Sequence, residues 1–493
     1  MSIPAEAFFL TPGFNGTLQH EIQQMVAEGI LRGRFRAGEK LPSSRRLARH
    51  LGVSRITVTL AYTELVSGDY LTARGRSGYY VSETAPTQPD FKMDDRPRQD
   101  NVNWERVVGR RFSRHEAPAK PQNWHEFPFP FIYGQVDVSL FDHQNWRQCA
   151  LRALGKRDFE VLTDDFYERD DPMLIEYIMR SILPRRGISA RPEEIILTMG
   201  AQNALWLTAQ VLIGSGRKTA VENPCYPGLR AILDQLGTEV TPVDVDAEGL
   251  PPDALPAGVE VVFTTASHHC PTNATMPIAR RSALLERAGR EDFLVIEDDY
   301  EFEMSFLKSA VPALKSLDRG GRVIYVGSFS KSLFPGLRLG YLVASEAFVR
   351  EVRALRAAML RHPPGHIQRT VAYFLSLGHY DALINRLGQA YKRRRTVMDE
   401  AISAHGLAIA GQGAFGGSSF WMRAPESVDT DLLAARLRSR GVLIEPGRVF
   451  FAPGTAPRNY YRLAYSSIPQ NRIPEGIGII AETIAESGPS QAA

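Results

Sequence analysis

Cysteine is scarce in this chain. Cys149, Cys225 and Cys270 are the only three in 493 residues, odd in number and far apart. That usage argues against a disulfide framework and fits a reducing compartment. No run of 18 apolar residues occurs, so no membrane span is expected. The opening Met-Ser-Ile-Pro-Ala-Glu has no basic start followed by an apolar core. A signal peptide is therefore not expected, and the chain reads as cytoplasmic. Charge of one sign is also short overall: the formal net charge is +3. A hydrophobic content of 44% and a charged content of 23% are ordinary for a globular protein. The length of 493 residues suggests roughly three domains.

The near-neutral total hides a basic segment. Residues 32–76 hold ten Lys/Arg (Arg32, Arg34, Arg36, Lys40, Arg45, Arg46, Arg49, Arg55, Arg74, Arg76) against three acids (Glu39, Glu64, Asp69), a local excess of seven positive charges. Such a segment suggests a polyanionic partner. Around it, Leu18, Ile22, Met25, Val26 and Ile30 recur at helical spacing. Ser43 can cap a short helix that turns Leu47 and Leu51 inward, and Gly52 stops it. Ser54 can cap a third helix with Val58, Ala61, Tyr62 and Leu65 on one stripe. The turn between these two helices has the length a helix-turn-helix requires. Tyr70–Ala73 and Gly78–Val81 then read as two strands around Arg74-Gly75-Arg76-Ser77, a basic wing. Arg55, Thr57 and Thr59 fall off the buried stripe, where they can enter a major groove. Ser43, Ser44 and Arg45 would sit against the backbone. Leu60 also lies off the stripe, and the pattern offers no account of it.

Residues 18–82 resemble the winged helix-turn-helix of the GntR family, through LPSSRRLARHLGVSRITVTLAYTEL and the closing GRSGYYV. The resemblance implies a DNA-binding domain over residues 1–83. Its expected contacts to double-stranded operator DNA are Ser43, Ser44, Arg45, Ser54, Arg55, Thr57, Thr59, Arg74 and Arg76. Residues 84–127 are rich in Pro, Asp, Arg, Gln and Asn and lack periodicity, so a tether of about 40 residues is expected. Trp104 and the Arg106–Arg114 cluster read either as plain spacer or as a short docked helix.

From residue 128 to 493 helical stripes alternate with short apolar runs at 194–198, 219–221, 261–264, 293–296 and 323–326. Continuous β-branched runs separated by helices predict a mainly parallel sheet buried on both faces, an α/β architecture. Residues 415–422 and 460–465 read as strands of a smaller α+β lobe. Ligands of open α/β sheets lie at strand ends, and polar residues gather there. Gly200, Ala201 and Gln202 open a helix whose free N–H groups suit a phosphate. Tyr226 offers a flat ring, and Asp298 and Asp299 offer carboxylates. Ser328, Ser330, Lys331 and Arg338 share one Gly- and Ser-rich turn. Phosphate cradle, stacking ring, carboxylate and lysine together are what pyridoxal 5′-phosphate needs.

This half resembles class I aminotransferases of fold type I, through the Ser328-to-Gly340 stretch. The resemblance implies Lys331 as the Schiff-base lysine and Arg338, Ser328 and Ser330 on the phosphate. It implies Asp298 on the pyridine nitrogen, with Asp299 as the alternative. Tyr300 would reach the phenolic oxygen, Tyr226 would stack, and Arg462 would clamp the effector's anion. The usual Asn-Pro is replaced by Cys270-Pro271, so Asn273 or a histidine is left to take over the bond to that oxygen. His268, His269 and Cys270 suit no common zinc spacing, and no metal is expected.

A GntR-like reader joined to such a body resembles the MocR/GabR regulators. That implies a head-to-tail homodimer, nucleoid-associated when bound to DNA. It also implies a regulator that senses an amino acid or aminosulfonate by Schiff-base exchange at Lys331; effectors in the family include 4-aminobutyrate, taurine, ectoine-derived amino acids and the cofactor itself. Two alternatives stay open: a working aminotransferase with an appended DNA module, and a repressor whose body only dimerises.

Overall fold

A computed structural model describes residues 2–11, 13–86, 100–109, 112–113, 120–163, 168–214, 216–454 and 456–487. The expected tether lies outside these residues at 87–99, 110–111 and 114–119. The chain divides into two compact units, Met1–Gly109 and Arg110–Ala493.

In the first unit three helices pack under a two-stranded wing. Helix α1 spans Leu18–Leu31, α2 Ser44–Leu51 and α3 Arg55–Ser67. Strands β1 (Leu71–Ala73) and β2 (Tyr79–Val81) pair antiparallel, Leu71 opposite Val81. The Ser43 hydroxyl accepts from Arg46 N at 3.3 Å and the Ser54 hydroxyl from Thr57 N at 3.2 Å, so both expected caps form. Gly52 ends α2 at φ 68°, a left-handed conformation that glycine adopts without steric cost. Ile22, Val26, Ile30, Leu47, Val58, Ala61, Tyr62 and Leu65 form the core with Phe8 and Phe35 from the flanks. Leu18 departs from the expected stripe and is 48% exposed, because it is the first residue of α1 and its side chain lies past the packed face. The buried Tyr62 hydroxyl donates to Pro42 O at 3.1 Å, tying α3 to the chain entering α2. The Trp104–Val107 segment is a single helical turn, exposed throughout.

In the second unit, β3 (Phe129–Pro130) runs ahead of a seven-stranded sheet. Its strands are β4 (Ile195–Thr198), β5 (Thr219–Asn223), β6 (Val240–Asp244), β7 (Val261–Thr264), β8 (Leu294–Asp299), β9 (Val323–Ser328) and β10 (Gly340–Val343). The order is β4-β10-β9-β8-β7-β5-β6, parallel except for β10. Both faces are apolar and alternate: Val221, Val261, Ile296 and Ile324 join one cluster, and Ala220, Val262, Val295 and Val323 another. That is why the strands read as continuous apolar runs. The smaller lobe holds β11 (Ala408–Gln412), β12 (Ser419–Arg423), β13 (Val442–Leu443), β14 (Glu445–Pro446) and β15 (Tyr460–Ala464). Four of these form an antiparallel sheet, β11-β12-β15-β14, while β13 pairs parallel with β3. The mainly parallel sheet with a smaller α+β lobe matches the expectation. Six strands were not anticipated: β3, β6, β10, β11, β13 and β14. They are short, or mix polar and apolar residues at a sheet edge or close to a turn. Among the described residues no helix is long and apolar enough to cross a membrane.

Candidate cofactor pocket and nucleic-acid interface

A cavity of about 190 Å³ opens where β8 and β9 end, beside β15. Its lining includes Ala201, Gln202, Tyr226, Asp298, Tyr300, Ser328, Ser330, Lys331, Arg338 and Arg462, all expected. These come from the ends of four strands of the seven-stranded sheet and, for Arg462, from the middle of β15 in the smaller lobe.

At one end of the cavity, groups that could hold a phosphate converge. Gly200, at φ 85°, precedes the helix Ala201–Leu212. A Cβ there would stand 3.6 Å from Arg338 Nη2 and 3.7 Å from Ser330 Oγ, so guanidinium, hydroxyl and helix N-terminus converge. The Ser328 hydroxyl accepts from Ser330 N at 3.2 Å and shapes the turn. The Tyr226 hydroxyl donates to Gln202 Oε1 at 3.3 Å, which sets the ring beside this cradle; burial pushes its phenol up to about 12.

Strand alternation separates the two candidate aspartates. Asp299 turns to the far side of β8, where it accepts from Arg186 Nε at 2.6 Å and from the Tyr325 hydroxyl at 2.8 Å. Asp298 turns into the cavity. Its Oδ1 is buried without a hydrogen-bond partner among the described residues. Burial, then the charges of Asp299 and Glu222, push its carboxyl up to about 7. An orphaned buried carboxylate oxygen fits a ligand N–H that carries positive charge. With the cradle, it fits the pyridine and phosphate ends of pyridoxal phosphate.

Lys331 stands between them. Burial, then Arg462, lower its ammonium to about 8, against the opposing pull of Glu301. Its Nζ lies 4.1 Å from the centroid of the Tyr133 ring. The Arg462 guanidinium lies 4.0 Å from the same centroid and 4.7 Å from that of Phe450. Arg462 is buried, and its Nε donates to Glu445 Oε2 at 2.8 Å. Burial opposes its charge, but Glu445 holds its pKa above the usual value. Gly134, at φ 75°, runs so close that a Cβ would stand 2.5 Å from Lys331 Nζ.

Asn273 is engaged outside the cavity lining. It takes the left-handed conformation (φ 59°), but its Nδ2 donates to Ser419 O at 2.8 Å and its side chain is not drawn into the cavity. Cys270 faces the cavity instead, its thiol pushed up to about 12 by burial. Neither neighbouring histidine lines the cavity. His269 bonds the Thr272 hydroxyl at 2.7 Å, and burial lowers His268 to about 4. Among the described residues no group of His, Cys, Asp or Glu could hold a metal ion. Sequence reasoning missed Tyr133, Gly134, Glu301 and Glu445. Their only signals were an apolar run after the tether, an acid following the Asp-Asp-Tyr stretch, and a two-residue strand.

In the first unit, Ser43, Arg45, Ser54, Arg55 and Arg74 are exposed, while Ser44, Thr57 and Thr59 are half-buried. Arg74 lies over the Tyr80 ring at 4.6 Å. The side chain of Arg76 lies outside the described residues. The Thr57 hydroxyl pairs with that of Ser54 at 3.1 Å, and the Thr59 hydroxyl donates to Arg55 O at 2.9 Å. Both threonines flank the exposed face of α3, whose apex holds Ile56, 72% exposed, and Leu60, 49% exposed.

With this geometry in place, comparison with known proteins is informative. Residues 168–480 match the family described as aminotransferase class I and II, and residues 18–81 match bacterial regulatory proteins of the gntR family. The chain is 63% identical to the HTH-type transcriptional regulator TauR of Rhodobacter capsulatus, over 98% of its own length and 100% of the relative's. It is 28% identical to the probable rhizopine catabolism regulatory protein MocR of Rhizobium meliloti, over 93% and 92%. The alpha-aminoadipate aminotransferase LysN of Thermus thermophilus, solved with N-(5′-phosphopyridoxyl)-L-leucine, superposes with a TM-score of 0.70 and 26% identity. It covers 78% of this chain and 99% of LysN.

Proposed function

Because this chain belongs to the MocR-type transcriptional regulators, in which a gntR-family reader is joined to a class I and II aminotransferase body, we propose that it senses a short amino compound with an anionic end and alters its grip on operator DNA in response. The cofactor is pyridoxal 5′-phosphate. The observation that carries the effector class is the shared Tyr133 ring, with an amine-bearing side chain and an anion clamp each about one contact distance from its centroid. Both ends of a small amino acid or aminosulfonate find a group there.

When bound, the cofactor supplies an aldehyde that condenses reversibly with primary amines and a ring that withdraws electrons. The protein does the rest. The Gly200 turn, Ser328, Ser330 and Arg338 would bind the phosphate. Asp298 would hold a proton on the ring nitrogen. Tyr226 would flank the ring. Lys331, its ammonium lowered to about 8, would offer a larger neutral fraction near neutral pH than an ordinary lysine and would be the amine that holds the cofactor's aldehyde. Arg462 would then meet the effector's carboxylate or sulfonate. Duplex affinity can change only by as much as the effector's affinity differs between two states of the protein.

A cytoplasmic homodimer is part of this reading. Support for a second copy comes from exposed apolar side chains on one stretch of the second unit: Val138, Leu151, Leu154 and Phe159 are 50–68% exposed. The test is a panel of amino acids and aminosulfonates scored for a spectral shift of the bound cofactor and for a change in affinity for upstream DNA. Both should respond to the same compound. Sustained turnover with 2-oxoglutarate, at about 1 per second or faster, would instead favour a working aminotransferase with an appended DNA module.

A further inference from the structure

We propose that Ile56 and Leu60 are specificity-determining residues that read thymine, by packing on its 5-methyl group in the major groove. The inference rests on the DNA-binding role of the first unit and names the base chemistry that unit selects.

At about 100° per residue, Ile56, Leu60 and Thr63 fall on the side of α3 opposite Val58, Ala61, Tyr62 and Leu65. The latter four are buried in the three-helix core. The outward apex is therefore apolar: Ile56 is 72% exposed and Leu60 49%. Single exposed hydrophobics are ordinary. Here two stand at i and i+4 on the helix that a helix-turn-helix inserts in the groove. The polar groups beside them are already engaged. Thr59 Oγ1 donates to Arg55 O at 2.9 Å and Thr63 Oγ1 to Thr59 O at 2.9 Å. Each threonine hydroxyl thus has its proton committed within the helix, and only its lone pairs are left for a base.

The occupant is argued from charge. Arg45, Arg49 and Arg55 are exposed on α2 and at the start of α3, and such a cationic flank suits phosphates on either side of a groove. Among the base edges of the major groove, only thymine carries an apolar group; the others present donors and acceptors. Those would be desolvated against Ile56 with no bond in return. An apolar apex between cationic flanks therefore favours thymine and disfavours G·C at the positions it covers.

The full-length protein can be used to enrich duplexes from a random pool. The enriched duplex is then resynthesised with deoxyuridine for thymidine, which removes only the methyl. The wild type should bind the uridine duplex about fourfold more weakly per contacted methyl, the ratio expected for about 0.8 kcal/mol of buried methyl. Ile56→Ala should lose its own share of the ratio, Ile56→Val should restore part of it, and the double variant Ile56→Ala/Leu60→Ala should bind both duplexes alike. The salt dependence of binding to unselected duplex should be unchanged in these variants, because their phosphate contacts remain. Equal binding of both duplexes by the wild type, or a full ratio in Ile56→Ala, would overturn the proposal. If no duplex is enriched and unselected DNA is not bound, the DNA-binding role falls with it.

Discussion

The two units build their sites in opposite ways. In the first, the expected contacts lie between Ser43 and Arg76, on two adjacent helices and one hairpin. In the second, the cavity gathers side chains from Tyr133 to Arg462. The reader's surface is largely exposed, and the Ser54 and Thr59 hydroxyls on it are bonded within their own helix. The pocket is buried, and one oxygen of its Asp298 carboxylate has no hydrogen-bond partner among the described residues. A local surface suits recognition of a long polyanion, where phosphate contacts are many and individually modest. A buried, long-range pocket suits covalent chemistry, where desolvation shifts proton affinities and strengthens each electrostatic contact.

The largest effect should come from separating the two. Lys331→Ala should abolish the effector's influence on DNA while leaving basal duplex affinity in place. Arg55→Ala should weaken duplex affinity by about 10-fold or more, as for loss of a charged contact of about 1–3 kcal/mol, and leave the cofactor's spectral response intact. Paired binding and absorbance titrations of the two variants check this; identical behaviour would break the division. Next, Asp298→Asn keeps shape but removes the charge. Loss of a charged hydrogen bond of about 1.5–3 kcal/mol should weaken cofactor retention by roughly 10- to 150-fold, measured by pyridoxal phosphate titration of the apoprotein. The far-side Asp299 cannot substitute, because Arg186 and Tyr325 hold it.

Gly134→Ala sharpens the comparison from the backbone side. It places a methyl where Lys331 Nζ now lies and a side chain at φ 75°. A cost of about 1–3 kcal/mol should appear as slower cofactor uptake and a lower melting temperature for the second unit, with duplex binding unaffected. The smallest effect is on pH. Lys331 is charged below about 8 and neutral above it. Only the neutral amine attacks an aldehyde. Uptake of pyridoxal phosphate by the apoprotein should therefore rise about tenfold per pH unit below that value and level off above it. A flat profile across it would mean that Lys331 is not the group that limits uptake.

Much of this was legible in the chain. Ser43 and Ser54 announced their helices because a cap needs only a hydroxyl three residues from the N–H it accepts. Apolar runs announced a doubly buried sheet, and the Ser328–Arg338 turn announced residues that line one cavity, for the same reason: each is a local pattern. The partner of Asn273, Ser419, was not legible because it lies in another lobe. Tyr133 and Glu445 carried only weak local signals, an apolar run and a two-residue strand.

The sequence alone determined which elements form, which residues can reach a phosphate, and that a lysine follows a buried strand, since these depend on neighbours a few residues apart. Only the tertiary structure decided that Asp298 rather than Asp299 faces the cavity, and that Lys331 and Arg462 share the Tyr133 ring. It also turned Ile56 and Leu60, rather than two threonines, to the apex of the reading helix. Those choices rest on strand register, lobe packing and the rotation of a helix against its core, and each sums contacts between residues far apart in the chain.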